Sequence, residues 1–137
     1  MELKKKIKLT LMFALSLLPM VLSQYGGMRG IQEISGLINL TSPIGMTALI
    51  AFIVGVWAPF ENKRTEWTFG LIGTVGMVLS EVYNYFTWHV LTITGEISLE
   101  NSIMLAFPEF YLGLVVSILM VVVYLLITRR NRKEAML

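Results

Sequence analysis

The stretch Trp67–Trp88, WTFGLIGTVGMVLSEVYNYFTW, is predominantly apolar, has a tryptophan at each end and contains one carboxylate, Glu81. As a helix rising ~1.5 Å per residue it spans about 32 Å between the indoles, close to the ~30 Å hydrocarbon core of a bilayer. Indole rings favour the two rims of such a layer. The segment therefore reads as a membrane-spanning helix over residues 67–91, and the rest of the chain is read around it.

Composition agrees with that reading. The chain has 137 residues, of which 55% are hydrophobic and only 15% charged, with a mean hydropathy of +0.71. A water-soluble domain of this length cannot bury so much apolar surface. The absence of cysteine excludes disulfides and thiolate metal sites. Every acidic residue is Glu and the net charge is only +2, which gives no reason to expect nucleic acid as a partner. There is no phosphate-binding loop and no nucleophile beside a base, so the sequence points away from an enzyme. It implies no cofactor.

Upstream, Lys4, Lys5, Lys6 and Lys8 precede an apolar run that ends near Pro19 and Leu22. Two readings compete: a first span over residues 7–24, or a signal peptide whose cleavage follows Ser23. Residues 24–42 mix four glycines with Ile31, Ile34, Leu37, Ile38 and Leu40, a pattern that suits an interfacial or re-entrant segment. Thr41, Ser42 and Pro43 then make a helix start, a hydroxyl N-cap followed by proline in the first helical position. They open a second span over 43–58. A short hairpin leads to the third span, and a Lys- and Arg-free segment leads to Pro108 and a fourth span over 109–128.

The cations orient these spans. Four stand at the N-terminus, Lys63 and Arg64 in the central hairpin, and Arg129, Arg130, Arg132 and Lys133 at the end. With four spans these ten fall on one side and Arg29 is the exception, so the positive-inside rule puts both termini in the cytoplasm. The expected architecture is all-α, an integral four-helix bundle of the cell membrane with two outer interfacial or re-entrant segments. A three-residue echo, EIS at 33–35 and again at 96–98, each followed by a proline-started helix, hints at duplication and equally at repeated use of capping residues.

Between membrane helices, small residues let backbones approach. Thr47, Ala51 and Gly55 form such a ridge on the second span, Gly73 and Gly76 on the third, and Gly113 and Ser117 on the fourth. Ser80 and Asn84 are available for interhelical hydrogen bonds. On the third span Thr74, Met77, Tyr85 and Trp88 share the direction of Glu81, a polar and aromatic stripe. A bare carboxylate at that depth is costly, so Glu81 must be protonated, hydrogen-bonded or wetted. One reading makes it a site for a proton, cation or cationic small molecule; the other makes it an interhelical tie. His89 and Trp88 mark the outer end. With one histidine and no cysteine, no metal site is expected.

Three functions are compatible with these features. The leading expectation is a non-enzymatic membrane protein that works by assembly, as an accessory subunit of a larger membrane complex or with copies of itself. The second is a small channel or carrier using Glu81. The third is a holin-like or immunity membrane protein.

Overall fold

In the computed structural model, residues 2–22, 24–25, 34–85, 108–129 and 133 are described. They form an all-α architecture. Helix α1 is Leu3–Leu22 and a one-turn α2 is Ile38–Thr41; α3 is Pro43–Trp57, α4 is Lys63–Asn84 and α5 is Pro108–Ile127. Between α1 and α2, β1 (Gln24–Tyr25) pairs with β2 (Ile34–Ser35) as a two-residue antiparallel ladder. This ladder and α2 occupy the stretch where the sequence suggests an interfacial or re-entrant segment. The second such segment lies outside the described residues.

Local chemistry sets the boundaries. Ser42 caps α3, its Oγ accepting from the Gly45 N–H at 3.2 Å, and Pro43 follows at the first helical position. Asn62 caps α4 by accepting from the Arg64 N–H at 2.9 Å. That cap starts α4 at Lys63, one turn before the expected 67, because the hairpin residues Lys63–Glu66 are themselves good helix formers. Helix α1 likewise starts among its lysines and not at residue 7.

The packing order is a closed ring: α3 lies on α4, α4 on α5, α5 on α1, and α1 on α3. The start of α1, the α3–α4 turn and the end of α5 meet at one end. There Trp57 Nε1 donates to Thr10 Oγ1 at 2.8 Å, and the Lys6 ammonium sits 5.8 Å above the Trp57 ring. Trp67 Nε1 donates to Thr128 Oγ1 at 3.1 Å. The centre is aromatic and aliphatic: Phe13 stacks on Phe52 at 3.9 Å, Phe52 meets Tyr124 edge-on at 6.4 Å, and Leu9, Met20, Met77 and Met120 fill the spaces. Tyr124 is buried here, its hydroxyl donating to the Trp67 carbonyl at 2.8 Å, so it serves the core.

Among the described residues, no helix is long and apolar enough to cross a membrane. Length or charge accounts for three of the helices. The apolar α3 has 15 residues, about 22 Å of rise, while α1 and α4 are longer but carry lysines in one case and Glu66 and Glu81 in the other.

Candidate functional site

Two polar clusters sit inside the bundle, both built on the last turns of α4. The first joins α4 to α2 and the cap of α3. Asn84 Nδ2 donates to Asn39 Oδ1 at 3.0 Å, and it also lies 2.8 Å from the Ser80 carbonyl oxygen. Ser80 Oγ donates to the Asn39 carbonyl at 3.0 Å and lies 3.2 Å from Ser42 Oγ. All four residues are buried. The cluster works because α2 ends immediately before the α3 cap, which turns the Asn39 side chain and carbonyl inward beside Ser42.

The second cluster surrounds Glu81, which is 0% exposed. Ser117 on α5 donates its Oγ to Glu81 Oε2 at 3.1 Å. Glu81 Oε1 has no hydrogen-bond partner among the described residues. It points into the gap between α5 and α1: a Cβ added at Gly113 would stand 2.7 Å from Oε1 and 3.1 Å from the Met20 Cα. The absence of a side chain at 113 is what makes room for the carboxylate head. Burial of a carboxylate with half its acceptor capacity unmet costs several kcal/mol if it is charged, by order of magnitude, which favours a bound proton or a bound cation in that gap.

The remaining candidates fall into place around these two clusters. Thr74 and Met77 are buried on the same face of α4 as Glu81; Thr74 donates to the Leu71 carbonyl of its own helix at 3.0 Å. Tyr85, also buried, is hydrogen-bonded with Tyr111 of α5. Gly73 faces Phe52, where an added Cβ would come within 2.5 Å of the Phe52 Cβ. Gly76 faces Ala48, and Gly55 sits against the backbone of Gly70. Ala51 is buried on the same side of α3.

Thr47 is a correction to the expected ridge. It is exposed and donates back to the Pro43 carbonyl at 2.7 Å, and the surface that meets α4 is Gly45, Ala48, Phe52 and Gly55. Spacing of four alone drifts around a 3.6-residue helix, and the buried stripe follows a three-and-four alternation. Gly113 and Ser117, expected as a packing ridge, line the Glu81 gap, and Gly113 also faces the Met20 backbone of α1. Trp88 and His89 lie outside the described residues.

Asn39 is the residue that sequence reading passes over. Its signal is an amide three positions before a Ser–Pro helix start, where a one-turn helix folds it back onto the cap.

No protein-family model matches the chain, and neither a curated protein nor a solved structure matches it.

Proposed function

We propose that the protein is an integral membrane helical bundle, with both termini on the cytoplasmic side, that acts without catalysis by assembling with other membrane subunits or with itself. One observation carries the reading: large apolar side chains are exposed on four helices, while a carboxylate and several neutral polar side chains are buried beside the aromatic and aliphatic core. Leu15 and Leu126 are 64% and 65% exposed, and Ile50 and Leu79 are 55% and 57% exposed, on four different helices. Glu81, Ser80, Asn39, Thr74 and Asn84 are meanwhile buried. Water penalises both halves of this arrangement, because soluble monomers do not expose apolar surface on every side and bury their few polar groups.

Lipid or a partner helix must therefore cover the outside. The shortness of α3 fits a bundle in which a helix enters from a polar cap inside the protein, since backbone that lies against neighbouring helices does not need to reach the lipid boundary. Alkaline extraction of membranes from expressing cells tests the membrane part: the chain is expected in the pellet, and its release into the supernatant overturns it. Purification in mild detergent tests the assembly part. A discrete complex with other polypeptides or a defined homo-oligomer is expected, and a strict monomer overturns it.

A second reading is favoured by one atom, the unmet Oε1 of Glu81. It makes the protein a small channel or carrier that holds a proton or cation between α1, α4 and α5. In reconstituted liposomes, loss of ion flux in correctly assembled Glu81→Gln supports it; equal flux in both proteins, or none in either, counts against it.

A further inference from the structure

Two surface hollows that share Ile72 make a groove that starts on α4 and ends in its seam with α3, and the chemistry of the two differs. At the N-terminal end of α4, a cavity of about 270 Å³ is lined by Arg64, Thr65 and Thr68, and then by Phe69 and Ile72. A second cavity of about 350 Å³ shares Ile72 and continues over Gly76 and Ala48 between α4 and α3. The first begins with the Arg64 guanidinium and the Thr65 hydroxyl; Thr68 Oγ1 already donates to the Arg64 carbonyl at 2.7 Å and Asn62 caps the helix start, so the charge of Arg64 is what favours an anion here. The second is almost wholly apolar. Glu66, which follows in sequence, is buried towards the core, so its carboxylate does not line this face.

The length is informative. From Arg64 to Gly76 α4 rises about 18 Å, slightly more than half of the ~30 Å hydrocarbon core. That is the depth of one leaflet. We infer that this groove is a binding site for one anionic phospholipid of the leaflet nearest the cationic end of the bundle, with its phosphate at Arg64 and Thr65 and an acyl chain laid over Ile72 and Gly76. The inference rests on the membrane reading above and adds a ligand class to it. Arg64 is suited to the role because a guanidinium gives a phosphate two parallel hydrogen bonds, whereas Lys63 beside it offers a point charge. The missing side chain at Gly76 leaves the deeper half open next to Ala48, whose Cβ would be 2.9 Å from a Cβ at position 76.

The test uses the full chain purified in mild detergent and mixed with equal amounts of phosphatidylglycerol and phosphatidylcholine, with retained lipid read by native mass spectrometry. Wild-type protein is expected to keep one phosphatidylglycerol in preference to phosphatidylcholine. Arg64→Gln is expected to lower that retention about five-fold, the scale of one cation near an anionic headgroup. Ile72→Trp, at an exposed position where the fold tolerates bulk, is expected to lower it comparably by filling the junction of the two cavities. Lys4→Gln removes one exposed charge at the same end and is expected to change nothing.

Equal retention of both lipids overturns the site, as does an unaltered preference in Arg64→Gln or an equal loss in Lys4→Gln. Alkaline extraction separates the two levels: a chain that stays in the membrane pellet but shows no lipid preference sinks the groove alone, and a chain released to the supernatant sinks both.

Discussion

On one side of α4, Asn84 and Ser80 meet Asn39 and Ser42, and donors and acceptors answer one another across a few ångströms. On another side, within a single turn, Glu81 meets Ser117 through one oxygen and leaves the other facing a gap beside Gly113. The two clusters share a helix, a depth and near-complete burial. They differ in satisfaction. A neutral network with its hydrogen bonds made is a fastening, because it holds α2 and the α3 cap in one register. A carboxylate with one oxygen unmet among the described residues leaves an acceptor open to a proton, a water or an ion.

Substitutions can break that distinction or sharpen it. The largest effect is expected away from both clusters, in the α3–α4 contact that sets the frame for them. Gly73→Leu forces a side chain into Phe52 and is expected to lower stability by about 3 kcal/mol or more, seen as loss of the folded species in thermal denaturation in detergent. Next comes the fastening. Asn84→Leu removes the donor to Asn39 and is expected to cost roughly 1–2 kcal/mol, with faster amide exchange at residues 38–42. An unchanged exchange rate there would remove the reason for calling the cluster a fastening.

Glu81→Gln is the sharper probe, because it keeps the shape and changes the charge. If Glu81 awaits a proton or cation, the amide retains the Ser117 contact and stability shifts by less than about 1 kcal/mol in either direction, while any ion binding is lost. A melting loss as large as that of Asn84→Leu would make the two clusters alike and end the contrast. The smallest effect belongs to Thr47→Ala, at an exposed residue bonded within its own helix, where less than about 0.5 kcal/mol is expected from thermal melts.

The long helices were legible because hydrophobic runs, prolines and capping residues are local signals. Ser42 and Pro43 announce α3 in the sequence, and they start it in the structure. Glu81 was conspicuous as a charge among apolar neighbours, and its stripe with Thr74, Met77 and Tyr85 follows from helical periodicity alone. What was not legible depends on which helix lies against which. Thr47 and Ala51 share the four-residue spacing of a packing ridge, yet the packing of the helices decides which of the two is buried: Ala51 is, with Ala48 and Phe52, and Thr47 is not. Asn39 required knowing that a single turn folds back onto the cap. Gly113 reads as packing material and does face the Met20 backbone, but nothing in its own surroundings in the chain indicates that a carboxylate from α4 also needs its space.

The arrangement of Gly113 and Ser117 also bears on how the protein is made. Helices α3 and α4 are joined by a turn of residues 58–62 and can close their contact as soon as both have emerged from the ribosome. Met20 is available earlier still, but Ser117 belongs to α5 and follows α4 in synthesis. Until α5 arrives, Glu81 has neither its hydroxyl donor nor the wall that encloses it, so the half-built chain presents an open acidic notch. Synthesis of α5 is therefore the event that closes the Glu81 cluster, and a chain truncated before it would leave that notch open.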